Sequence, residues 1–346
     1  MQKKHTSFYA KISKGYIPKV AFDAMATNIQ HIPIKLSKRG MFIRVADREE
    51  VVSARSMWDI SWERKKFSEY KCEKTKTISV NVKHMQKMLK NVKKKDSLTF
   101  FISKIDPDRL AILIQPSGVQ NSGTSARAET VFLSIKQVDV VVPDLPNTYI
   151  NDNGDKENAY GNPMVIDSSN FQKIKKMTSV CKTTINVKIQ KNNYISFCVG
   201  DDNVMGSHLV FGELSYTPEK DYISNETTEE SENEESEKDG SEKDGSEKDD
   251  NSEEQDDSEE EESNEESSTG KEYPCIYNKN FDVSLFTPLV KLPGLCSHME
   301  FYAPKVANFP LKVNMASTSG LGDVTIYLKD REYIEMVEAQ LKTSKK

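Results

Sequence analysis

Short runs of alternating apolar and polar residues, separated by turn residues, recur along the chain. Lys76 to Val82 (KTISVNV), Ser97 to Ser103 (SLTFFIS), Arg109 to Gln115 (RLAILIQ), Thr183 to Ile189 (TTINVKI) and Asp323 to Lys329 (DVTIYLK) are of this kind. Their β-branched and aromatic content and period-two stretches predict strands. Four internal segments carry a helical period instead: Tyr16 to His31, Asn81 to Lys94, Ser168 to Lys182 and Phe281 to Leu292. The tail from Asp330 to Lys346 also reads helical, with Ile334, Val337 and Leu341 on one stripe. Pro288 lies inside the fourth helix and is expected to kink or shorten it.

The second helix says most. At about 100° per residue, Lys83, Lys87, Lys90 and Lys94 fall within about 60° of one another. Met85, Met88, Leu89 and Val92 fall on the opposite side. One face is built to dock on a sheet and the other presents a row of ammonium groups. The third helix repeats the scheme, with Phe171, Ile174 and Thr178 on one side and Lys173 and Lys176 on the other. In the first helix Ile17, Val20, Ala21 and Ala24 face inward and Lys19 outward.

Charge sharpens this picture. The 346 residues carry a formal −6, yet Glu226 to Gly270 alone holds 23 acidic side chains against three lysines, a net of −20. The remainder is therefore a basic body of +14. The tract repeats SEKDG and has no Val, Ile, Leu or aromatic residue, so it cannot offset the entropy of ordering and is expected to be a disordered insertion. A loop tolerates such an insertion because closure entropy grows only logarithmically with length. The first two helices start about 65 residues apart. The last two start about 113 apart, or about 68 without the tract. The spacing predicts one helix-plus-strands unit used four times, in two pairs. A row of lysines is by itself usually a solvated face, but its recurrence on equivalent faces of a basic body fits the footprint of a phosphate backbone, held without reading sequence.

Catalytic signals do not appear. The chain lacks G-x-x-x-x-G-K-[ST], H-E-x-x-H and G-x-S-x-G, and Gly320-Leu321-Gly322 precedes a strand, so it reads as a turn. Five histidines show no ligand spacing, and neither a metal nor another cofactor is expected. Five cysteines without a C-x-x-C pair fit reduced, mostly buried thiols. No run of about 18 apolar residues is present to span a membrane, and the amino terminus lacks a secretory h-region. The expected setting is the cytosol, the nucleus or an intracellular replication compartment.

Several stretches, in order, resemble the sliding clamps of the proliferating cell nuclear antigen (PCNA) type. Phe8 to Lys11, Gly15 and the run from Ile17 to Met25 (IPKVAFDAM) look like the family's first strand and helix. Cys72 and Val80 to Lys90 (VNVKHMQKMLK) are similar to its second helix and preceding strand. Val142-Pro143 matches the end of its interdomain connector, and Pro310 to Val313 with Gly322 to Leu328 its closing strands. The resemblance implies an α+β fold of two topologically similar clamp domains, helices lining a ring and antiparallel sheets outside. The domains would be residues 1–135 and 147–330, joined by a connector at 136–146 and followed by a tail at 331–346.

It further implies a homotrimer around duplex DNA, a processivity factor rather than an enzyme, serving a DNA polymerase and repair enzymes and opened by a clamp loader. DNA-facing positions map onto Lys19, Lys87, Lys90, Lys176 and Lys291. A partner pocket maps onto Asp47, Val51, Val140, Val142, Pro143, Pro310, Tyr327 and Leu328, with Ala46 and Glu50 departing from the family's methionine and histidine. The subunit edges map onto Arg109 to Gln115, with Ile112 and Ile114, and onto Tyr194 to Gly200, with Ile195 and Phe197. Two alternatives stay open: a monomeric or dimeric clamp-like factor held on DNA by charge, and an acidic-tract chaperone for basic proteins.

Overall fold

The computed structural model describes residues 3–48, 52–116, 128–140, 142–180, 183–191, 194–201, 205–212, 274–316 and 322–344. Val51, Glu50 and the acidic tract at 226–270 lie outside them. The amino-terminal half runs β1 (Thr6–Ile12), α1 (Tyr16–Met25), β2 (His31–Ser37), β3 (Gly40–Ala46), β4 (Ser56–Glu63), β5 (Glu69–Cys72), β6 (Lys76–Asn81), α2 (Val82–Leu89), β7 (Ser97–Ser103), β8 (Arg109–Gln115) and β9 (Glu129–Ser134). The connecting stretch holds β10 (Lys136–Gln137) and a hairpin, β11 (Thr148–Ile150) and β12 (Lys156–Asn158). Then follow β13 (Met164–Asp167), α3 (Ser168–Phe171), α4 (Ile174–Val180), β14 (Thr184–Gln190), β15 (Tyr194–Asp201), β16 (Met205–Phe211) and β17 (Cys275–Asp282). The chain closes with α5 (Val283–Leu289), β18 (His298–Tyr302), β19 (Leu311–Ala316), β20 (Asp323–Leu328) and α6 (Arg331–Ser344).

The two halves share one topology. In the first, β6, β2, β3 and β4 make one antiparallel sheet and β1, β7, β8 and β9 another. In the second, β17, β14, β15 and β16 answer the former and β13, β18, β19 and β20 the latter. Pairing of β4 with β20, from Ser56↔Leu328 to Ser61↔Asp323, fuses one sheet of each half into a nine-stranded sheet. Gly322 closes that seam at φ +149°, where a Cβ would collide with the Ser61 carbonyl.

All four expected helices form, each shorter than its period implied. Asn81 starts α2 by accepting the His84 backbone N–H at 3.0 Å. Gly15 starts α1, donating its N–H to the Asp96 carbonyl at 2.7 Å. A Cβ there would sit 2.5 Å from the Leu98 side chain, so the close approach demands glycine. The third helix breaks into α3 and α4, and α5 ends one residue after Pro288. Apolar faces meet the sheets: Val20, Ala21 and Ala24 of α1 and Met85 and Leu89 of α2 are buried. In the second half Phe197 stands among Phe171, Phe286 and Phe301, with ring centroids 5.8–6.0 Å away.

That core position overturns one expectation. The strand β8 is hydrogen-bonded to β7 on one side and β9 on the other, and β15 lies between β14 and β16. Ile112, Ile114, Ile195 and Phe197 are buried core residues, not edge residues. Among the described residues the open edges belong one strand further out, to β9 and β16. Continuous apolar runs such as RLAILIQ mark interior strands, and the edges carry the more polar text. Cysteine burial is also mixed: Cys72 and Cys296 are buried, but Cys275 is exposed.

Candidate nucleic-acid interface and partner pocket

The helices lie in a row, α2 against α1, α1 against α5, and α5 against α4. Their outer sides line a groove of about 750 Å³. Lys19, Lys87, Lys90, Lys175 and Lys291 enter it with one carboxylate, Asp23. Lys19 Nζ sits 2.7 Å from Asp23 Oδ2, an i,i+4 pair whose side chains remain partly exposed. Such surface pairs contribute little and break readily. Lys291 Nζ donates to Thr27 Oγ1 at 2.8 Å, and Asn28 Nδ2 to the Ser284 carbonyl at 3.3 Å. These bonds tie α1 to α5, so the groove is framed by both halves of the chain.

Of the expected lysines, Lys19, Lys87, Lys90 and Lys291 are brought together here. Lys83, Lys94, Lys173 and Lys176 are exposed but do not line the groove. Lys175 joins those in the groove although one continuous helix would point it away from Lys173 and Lys176. The break at Gln172–Lys173 restarts the helix at Ile174 and turns Lys175, with Thr178, toward α5. The arrangement supplies flexible cations on rigid supports, suited to a polyanion held at its phosphates.

A second site is apolar, with a cavity of about 220 Å³ beside the connecting stretch. Tyr327, Met57 and Pro310 line it with Ala46, Phe309 and Tyr333, while Asp144 also borders it. Burial pushes the Tyr327 phenol up to about 12, and Lys329, another lining residue, is pushed down by burial. Pro310 and Tyr327 were expected here. Val140 and Val142 are exposed on the connecting stretch, and the Pro143 carbonyl accepts from Arg44 Nη1 at 3.3 Å. Asp47 and Leu328 do not line the cavity. The Asp47 carboxylate is spent on Arg55, taking its backbone N–H at 2.8 Å and Nε at 3.2 Å, and Leu328 is core. Tyr333 was not expected, although the stripe of the tail helix placed Ile334 inward and so put its neighbour at a border.

Two like halves, helices along a basic groove and sheets behind them make up a DNA-clamp fold. Comparison with known proteins agrees. Residues 7–138 match the family model described as proliferating cell nuclear antigen, N-terminal domain. A probable DNA polymerase sliding clamp 1 of Paramecium bursaria Chlorella virus 1 is 27% identical over 145 residues, 42% of this chain and 53% of that protein. A DNA polymerase sliding clamp of Pyrococcus horikoshii is 30% identical over 121 residues, 35% of this chain and 43% of that one. The match thus spans about half the length of these curated relatives. The crystal structure of the proliferating cellular nuclear antigen of Entamoeba histolytica superposes with a TM-score of 0.61 at 14% identity, covering 94% of this chain and 99% of that one. The PCNA2–PCNA3 complex of Sulfolobus tokodaii gives 0.61 at 14%, over 93% and 99%. Residues 7–138 are thus similar in sequence to the amino-terminal domain of the proliferating cell nuclear antigen family, and the chain shares the fold of these solved clamps.

Proposed function

We propose that the chain is a DNA polymerase processivity factor, a clamp that surrounds duplex DNA and tethers replication and repair enzymes without catalysing a reaction itself. The carrying observation is the single groove in which four helices set five lysines against one carboxylate. The duplex runs along these helices, and partner segments dock in the apolar cavity at Tyr327 and Pro310.

The repeat supports ring closure. Within the chain β4 pairs with β20. In the repeat β16 corresponds to β4 and β9 to β20, and among the described residues β16 and β9 each have an open side. Pairing β16 of one copy with β9 of the next continues the internal seam head to tail, and such a contact closes a ring when its rotation permits. Three copies, six like domains, are the proposed assembly, with residues 1–135 and 147–330 as the domains and a clamp loader to open it. Its place is the nucleus or another replication compartment.

The test is topological. Protein assembled with nicked circular plasmid is challenged with high salt, which strips charge-held proteins. Retention on the circle that vanishes on linearisation supports the clamp. Loss from both forms alike, or a scattering mass of one 39.3 kDa chain, favours the open, charge-held factor instead.

A further inference from the structure

The tail helix α6 bears on the apolar cavity in a way that bridges both halves. Asp330 caps it, accepting the Tyr333 backbone N–H at 3.0 Å. Ile334 and Val337 are buried beneath it, and it packs beside β17. Glu338 pairs with Arg48 of the first half at 3.0 Å, Glu332 pairs with Lys279, and Arg331 Nη1 donates to Thr184 Oγ1 at 2.8 Å. Tyr333 then lines the cavity together with Tyr327, with Lys329 Nζ 4.9 Å from the Tyr333 ring centroid and 3.1 Å from the Val52 carbonyl.

We propose that α6 is an intramolecular strap on the docking cavity, Tyr333 closing its tail-facing side. The inference rests on the cavity being the docking site. At about 220 Å³ the space is smaller than the ~300–1,000 Å³ of ordinary ligand pockets. It admits one bulky apolar side chain. The occupant it fits is a peptide with an aromatic anchor and neighbouring Lys or Arg: Asp144 borders the cavity and Asp139 lies on the same stretch, while Lys329, the cation of the lining, is engaged by the Tyr333 ring and the Val52 carbonyl. A peptide with two adjacent anchors seats only after α6 moves. The attachment suits a movable element: two buried aliphatic residues and the Glu338–Arg48 and Glu332–Lys279 ion pairs, whose side chains are exposed.

The test titrates the full chain, a chain ended at Asp330 and full-length Tyr333→Ala with two labelled peptides in one Lys-rich frame, carrying one Phe or two consecutive Phe. A strap open in about a tenth of molecules costs about tenfold in apparent affinity. Both alterations are therefore expected to strengthen two-Phe binding about tenfold and to change one-Phe binding little. Unchanged two-Phe binding overturns the strap. Weaker binding overturns it too, making α6 a supporting wall. Tyr333→Ala keeps the helix and decides the matter if the shortened chain fails to fold. Ala46→Trp separates the two readings: filling the cavity must abolish both peptides, and if it does not, the cavity is no docking site.

Discussion

Tyr327 Oη donates to Asn147 Oδ1 at 2.8 Å, joining the last strand to the connecting stretch across 180 residues of sequence. Tyr160 Oη, donating to the Pro310 carbonyl at 2.9 Å, holds the far end of the same stretch. A net intramolecular hydrogen bond is worth about 0.5–1.5 kcal/mol. Tyr327→Phe is therefore expected to lower stability by about 1 kcal/mol, with the fold kept, as read by urea denaturation. A loss near zero would show that water replaces the bond and that the stretch is held elsewhere.

The same phenols set an alkaline limit. Burial raises Tyr327 to about 12, and burial followed by the bond to Glu300 raises Tyr302 to about 12, from an ordinary 10.0. Both stay protonated in the folded chain where they ionise in the unfolded one. Their contribution is complete below pH 10 and is lost as pH rises to about 12. Unfolding midpoints measured across this window should fall, and Tyr327→Phe should flatten the slope. A parallel decline in the variant would assign the loss to other groups.

Much of this was legible in the sequence. The period of Asn81 to Lys94 placed Met85 and Leu89 inward and Lys87 and Lys90 outward, because an amphipathic helix on a sheet obeys its own geometry. Pairing order was not legible. Ile112 and Phe197 read as strand residues, but only partners distant in sequence decide which strand is last. Lys175 was hidden by a helix break that no glycine or proline announces, since residues Gln172 and Lys173 are ordinary helix formers. Tyr333 needed tertiary knowledge, as its cavity draws on residues from Ala46 to Phe309.

Phe197 now belongs to folding rather than assembly. Its ring meets those of Phe171, Phe211, Phe286 and Phe301, and truncating a buried Phe costs about 3–5 kcal/mol. Phe197→Ala is expected to lower the melting temperature strongly at every protein concentration. A variant with normal stability and a smaller mass would return this residue to the interface.

Assembly should instead depend on β9. The Ile135 N–H points at β8, bonding the Asp108 carbonyl at 2.9 Å. Donors alternate along a strand, so the Phe132 N–H points to the open side. Proline fits an edge strand where its missing N–H faces outward. Phe132→Pro should leave the β8–β9 ladder intact and shift the scattering mass toward 39.3 kDa. The partner control is Ile105→Pro, equally apolar and 89% exposed but on a turn, which should leave the mass unchanged. An assembly indifferent to Phe132→Pro would place the contact on another edge.

The groove makes the last prediction. Lys87 and Lys90 are exposed at the carboxy-terminal end of α2, where positive charge suits the helix dipole. Reversing both to Glu is expected to cost up to about 1 kcal/mol per site from that dipole. Replacing both with Gln costs less and isolates the loss of charge. A ring threaded on DNA needs its lysines to centre the duplex rather than to grip it. Both variants should therefore keep the oligomer mass and circular dichroism spectrum. Direct DNA binding should weaken, with the Glu pair the weaker, and the dependence of binding on salt should flatten as phosphate contacts are lost. Polymerase stimulation should fall in the same order. The comparison is Lys136→Glu with Lys156→Glu, two exposed lysines on β10 and β12 away from the groove. If that pair lowers DNA binding as much as the α2 pair, total charge governs the effect and the helices do not face DNA.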